Sequence, residues 1–110
     1  RPADVMLLAP EISVMASLTS INLYYNHLGA EGAKALAPAI RDSPSLTSIN
    51  LSYNNLTNDG RNMTGIKAIA DALVMTSLTS IDLRGNFMKD EGRALLCKAV
   101  EGRAGFKLLL

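Results

Sequence analysis

The five residues SLTSI occur three times, at 17–21, 45–49 and 77–81. Leu46 follows Leu18 by 28 residues, Leu78 follows Leu46 by 32, and Phe106 stands 28 beyond Leu78. A period of this length is the signature of an architecture stacked from like units, and it constrains the chain more than any single motif does. The match runs past the five letters. Leu18, Ile21, Leu23, Asn26 and Leu28 recur as Leu46, Ile49, Leu51, Asn54 and Leu56, and again as Leu78, Ile81, Leu83, Asn86 and Met88.

Each unit changes periodicity halfway. Ile21 and Leu23 flank the polar Asn22, the alternation of a short strand. The segments GAKALAPAI (32–40), GIKAIADAL (65–73) and GRALLCKAV (92–100) then align, with Leu36, Ile69 and Leu96 at one position and Ile40, Leu73 and Val100 four residues later. Apolar residues four apart on alanine-rich segments mark one face of a helix. In the first unit Leu18, Ile21, Leu23, Leu28, Leu36 and Ile40 are the inward set. So few buried side chains cannot offset the ordering of a whole unit's backbone, at about 1–2 kcal/mol per residue. The units must therefore bury one another's faces, pairing their strands in a parallel sheet over one shared core.

The pattern L-x-x-I-x-L-x-x-N-x-L followed by a helix resembles the leucine-rich repeat, and the unit length and long helical half are similar to the ribonuclease-inhibitor-like subfamily. The resemblance implies an α/β solenoid, a short curved stack with parallel strands on the concave face and helices on the convex face. DVMLLAPEI (4–12) aligns 28 residues ahead of GAKALAPAI. Residues 1–17 therefore read as the helical half of an earlier repeat, 18–45, 46–77 and 78–105 as full repeats, and 106–110 as the start of a next strand, all in one domain. Repeat stacks need polar caps, whereas this chain starts within a helical half and ends on KLLL. It reads as a segment of a longer protein, or as a subunit whose ends are covered within a larger complex. The family's asparagine bonds to backbone groups of the neighbouring turn, a role implied here for Asn26, Asn54 and Asn86.

Composition removes several classes of function. Eleven basic and ten acidic residues leave a net charge of +1, without the Lys/Arg excess that drives binding to nucleic acid or anionic membranes. No apolar run approaches the roughly 18 residues of a membrane span, and no targeting signal is visible. The single cysteine, Cys97, excludes an internal disulfide framework and fits an intracellular, cytoplasmic setting. It aligns with Ala37 and Ala70, small-residue positions of the helix, and is expected to be a buried structural thiol. His27, the single histidine, gives it no catalytic partner. Metal-ligand spacings and phosphate-cradling glycine patterns are absent. The expectation is a non-enzymatic chain with no cofactor and no metal.

Function then falls to the positions that vary between repeats. Ser20, Asn22, Tyr24 and Tyr25, then Ser48, Asn50, Ser52 and Tyr53, then Ser80, Asp82, Arg84 and Gly85 are expected on the concave face. Tyrosine and arginine combine apolar area with hydrogen-bonding tips and are enriched at interfaces. Asn22, Tyr24, Tyr25, Asn50, Ser52, Tyr53, Asp82 and Arg84 are accordingly the candidate contacts for a protein partner. The second repeat carries an insertion, TNDGRNMT (57–64), where the first has GAE (29–31). Lengthening a loop costs only about 0.6 kcal/mol per doubling, so drift accounts for it, and a projecting contact loop tipped by Asp59 and Arg61 is the alternative. Three N-x-S/T triplets, at Asn50, Asn55 and Asn62, read as by-products of the Asn-rich turn and the insertion. Besides an interaction or scaffold module, two other classes fit: a structural subunit held through its uncapped ends, and an accessory repeat region of a larger regulatory protein or enzyme.

Overall fold

Copies of the repeated word lie side by side. The computed structural model describes residues 19–110, so Leu18 and the helical half expected at 1–17 lie outside the described residues. Strands β1 (Ser20–Asn22), β2 (Ser48–Asn50), β3 (Ser80–Asp82) and β4 (Lys107–Leu109) form one parallel sheet in chain order. The register places Ile21 beside Ile49, Ile49 beside Ile81, and Ile81 beside Leu108. Parallel neighbours need a crossover, supplied by α1 (Gly29–Asp42), α2 (Thr64–Leu73) and α3 (Lys89–Ala99). The α/β solenoid implied by the resemblance is the architecture observed.

The word can be read letter by letter. Leu46, Ile49, Leu78 and Ile81 are buried between sheet and helices with Leu51, Leu56, Ile69, Leu73, Leu83 and Leu96. The threonine makes a rung: Thr47 N and Oγ1 both donate to Thr19 O, at 2.8 and 3.1 Å, and Thr79 repeats this onto Thr47 O at 2.8 and 3.2 Å. Ser77 Oγ donates to Leu46 O at 2.8 Å. The leucine, the threonine and the isoleucine thus serve stacking, and so does the first serine at Ser77. Burial is deepest in the middle of the stack, while Ile21 and Leu23 in the first described unit and Leu108 and Leu110 in the last are only partly covered.

Helix ends are closed from the following unit. The last carbonyls of a helix have no intrahelical donor. Thr76 Oγ1 donates to Ile40 O at 2.7 Å, and at the equivalent place in the next unit Arg103 Nη1 donates to Leu73 O at 2.9 Å. Gly65 sets the approach of α2 to α1. A Cβ there would fall 2.7 Å from Ala33 Cβ and 2.9 Å from Ala30 O, so any side chain would push the helices apart.

Cys97 departs from expectation: it is exposed. Ala37 and Ala70, at the equivalent positions of α1 and α2, are 6% and 5% exposed because each of those helices has the next one packed against it. Helix α3 is the last one described, and its flank at Cys97 has no such cover.

Candidate functional site

Strands β1, β2 and β3 end after three residues, where the side chain at the third bends the chain. Asn22 Oδ1 accepts from Tyr24 N at 3.0 Å, Asn50 Oδ1 from Ser52 N at 3.0 Å, and Asp82 Oδ1 from Arg84 N at 3.1 Å. This is the Asx turn, in which a short side chain stands in for a backbone acceptor. The buried asparagines then lock the bend to the preceding unit. Asn54 Nδ2 donates to Leu23 O at 2.8 Å and Leu51 O at 3.0 Å, while its Oδ1 accepts from Asn26 N at 2.6 Å. Asn86 repeats the scheme on Leu51 O, Leu83 O and Asn54 N. The ladder implied by the resemblance is present at both positions, and Asn26 Nδ2 donates to Tyr24 O.

The turn so formed takes left-handed backbone at two places that recur in all three units. Tyr25, Tyr53 and Gly85 occupy the first such place with φ of 57°, 56° and 73°, and His27, Asn55 and Phe87 the second with φ of 54°, 52° and 55°. Positive φ is uncommon outside glycine and is a larger departure still for bulky residues. The fold imposes this conformation, because it recurs at equivalent positions in every unit. Filling it with aromatic rings is a property of this sequence.

Those rings gather at the edge of the sheet where the strands end. Tyr24 lies 5.7 Å from Tyr53, edge to face, and 5.9 Å from Tyr25; Tyr25 lies 5.1 Å from His27. All three tyrosines are more than half exposed, as is Phe87. Their hydroxyls make no hydrogen bond among the described residues. Tyr53 lies across Gly85, where an added Cβ would come within 2.5 Å of its Cδ1, so the absence of a side chain at Gly85 makes the ring's position available. Tyr25, His27, Tyr53, Phe87, Asn55 and Asp59, with Gly85, enclose a depression of about 260 Å³.

The eight candidate contacts divide. Tyr24, Tyr25 and Tyr53 are brought together on the surface, in the turn beyond the strands rather than on them. Arg84 is exposed but engaged: Nε reaches Asp82 Oδ1 at 3.1 Å and Nη2 reaches Oδ2 at 2.8 Å. Hydrogen bonds from this guanidinium hold the Asp82 carboxyl below its ordinary range, against the opposing effect of burial. Asn22, Asn50 and Asp82 serve first as acceptors of the turn. Ser52 does not reach the surface: it is 3% exposed, and its hydroxyl donates to Asn50 Oδ1 at 2.6 Å. His27, Asn55, Gly85 and Phe87 were missed as site residues. Their signal is the alignment itself, since they stand one and three residues before the repeat's last leucine position, Leu28, Leu56 or Met88.

The insertion is a bracket. Asn58 Oδ1 accepts from Ala30 N at 3.1 Å at the start of α1, and Thr57 Oγ1 donates to Asn86 O at 2.9 Å, so one loop grips the unit before it and the unit after. Gly60 N donates to Thr57 Oγ1 and Asp59 N to Asn55 Oδ1, each within 2.9 Å. Asp59 and Arg61 are both exposed, and Asp59 stands on the rim of the aromatic depression. A larger shallow groove of about 420 Å³ lies between α1 and α2, bounded by Lys34, Pro38, Arg41, Asp71 and Met75. It has no aromatic wall. Among the described residues no helix is long and apolar enough to cross a membrane, and no three His, Cys, Asp or Glu residues are grouped to hold a metal ion.

A family model described as Leucine Rich repeat matches residues 14–37, 42–61 and 74–97, together more than half of the chain. A comparison with curated proteins finds no match. Each matched segment holds one strand and one of the asparagines Asn26, Asn54 and Asn86; the first and third run on into α1 and α3, while the second ends before α2 begins.

Proposed function

Because the chain belongs to the leucine-rich repeat family, we propose that it is a non-enzymatic interaction or scaffold module that docks a protein partner where its strands end, chiefly through Tyr24, Tyr25 and Tyr53. Stacked repeats commonly bind proteins on the extended surface their strands create. The observation that carries the reading is the aromatic group itself. Three exposed tyrosines are collected on a rigid turn that does not need them, and such residues supply most binding energy at interfaces. Arg84, aimed by Asp82, stands beside them as a polar contact. The length of the unit and its long helical half support the ribonuclease-inhibitor-like subfamily, and the single cysteine supports an intracellular setting.

A pull-down from native extract tests this, comparing the chain with a variant carrying Tyr25→Ala and Tyr53→Ala. The expected result is a retained protein that the variant loses while remaining folded. A second reading, a structural subunit held through its end flanks, draws on the partly covered Leu95, Val100, Leu108 and Leu110. Retention that survives the double substitution but fails with charged replacements at Leu108 and Leu110 favours that reading.

A further inference from the structure

We propose that the depression enclosed by Tyr25, His27, Tyr53, Phe87 and Asp59 receives a cationic side chain, lysine or arginine, presented by the protein partner. The assignment rests on the reading of this face as a docking surface and specifies the chemistry of what it holds. Aromatic rings carry negative electrostatic potential on their faces and attract cations. Here four rings from three units border one space, and the single charged group among its walls is the Asp59 carboxylate. That carboxylate forms no ion pair or hydrogen bond among the described residues. The other acid nearby, Asp82, is already neutralised by Arg84. Lys89 passes close to Gly60 without pairing with Asp59, and Arg61 does not line the space.

Other occupants fit less well. An anion would meet a carboxylate and no ammonium or guanidinium in the walls. A neutral apolar side chain would strip water from Asp59 without giving it a partner. The volume, about 260 Å³, lies below the roughly 300–1,000 Å³ of sites for drug-sized ligands, so it suits one long side chain rather than a whole element. The insertion loop gives the site its charge: Asn55 Oδ1 accepts from Asp59 N at 2.8 Å, and Thr57 fixes the loop between units. A feature that sequence reasoning attributes to drift thereby places the one acidic wall.

Titration of the full chain with three acetylated, amidated tripeptides, Gly-Lys-Gly, Gly-Arg-Gly and Gly-norleucine-Gly, followed by the NMR ring signals of Tyr25, Tyr53 and Phe87, tests the proposal. Both cationic peptides should shift these signals and bind roughly fivefold or more tightly than the norleucine peptide. The tighter of the two names the side chain. Asp59→Asn should weaken the cationic peptides severalfold and leave the norleucine peptide unchanged, with the amide spectrum confirming that the variant is folded. Equal binding of all three peptides, or no ring shift with any, would overturn the cation site. The pull-down is independent of this outcome. Capture that depends on Tyr25 and Tyr53 but not on Asp59, with no cation preference in the titration, removes the cation site and leaves the docking surface; ring shifts without capture do the reverse.

Discussion

Tyr53 and Asn54 are consecutive residues of one turn that answer to different demands. Asn54 is fully buried, and its side chain holds carbonyls of its own unit and the one before it together with the amide of Asn26. Tyr53 is half exposed and adopts a backbone conformation unfavourable for a large side chain; its amide donates to Arg84 O, as any residue's would, and its side chain adds only a ring laid over Gly85. What the stack requires is asparagine at the first kind of position in every unit. At the second kind it requires only a left-handed backbone, which glycine supplies in the third unit. The recurring letters are therefore the ones on which the fold depends, and the variable ones next to them are free to recognise something else.

Substitutions break this contrast in order of size. Asn54→Ala should cost most, about 3 kcal/mol or more in urea unfolding, because it leaves several buried backbone groups without partners at about 1–3 kcal/mol each. A loss under 1 kcal/mol would show that water replaces the ladder. Gly65→Ala should cost about 2 kcal/mol by overpacking α1 against α2, seen as a lowered melting midpoint. Tyr25→Gly should leave that midpoint nearly unchanged. The backbone strain it relieves, about 1 kcal/mol, and the extra freedom it gives the unfolded chain, about 0.4–1 kcal/mol, almost cancel.

The smallest effect concerns pH. The Arg84 guanidinium depresses the Asp82 carboxyl in the folded chain, so this contribution is fully present above the unfolded-state value of about 3.9 and is lost as pH falls through the lower folded value. Asp82→Asn should cost only a few tenths of a kcal/mol at neutral pH, since Arg84 is largely exposed to solvent, and the difference from the parent should close as pH falls below about 4, flattening the acid limb by the same small amount. An unchanged acid limb would mean that the pair contributes nothing to folding.

The repeat period made the fold legible, because burial in a solenoid is local and every unit answers to the same few inward positions. Strand register and core follow from aligning three copies of one word, while the asparagine ladder was implied by the family resemblance. The proposed docking surface was only half legible. Tyr24, Tyr25 and Tyr53 stand out as residue types, but Asn22, Asn50 and Asp82 look like surface ligands until their hydrogen bonds to the turn are seen, and Ser52 looks exposed until the bend folds it under. His27 and Phe87 fall between core positions and lack a motif; their placement beside the tyrosines comes from the left-handed turn, a backbone property that alternation of apolar residues does not encode. Cys97 was misjudged because alignment assumes equal neighbours for every unit, and among the described residues no further helix packs on α3 as α2 and α3 do on the flanks of α1 and α2.

Capture of a protein partner by the chain and by its Tyr25→Ala, Tyr53→Ala variant, each at matched folded fraction, tests the division of labour in the turn most directly. The account predicts that the variant loses the partner while keeping the melting midpoint of the parent. Retention equal to the parent's would contradict it, and so would a loss that merely follows a collapse in stability, since the tyrosines would then belong to the fold rather than to recognition.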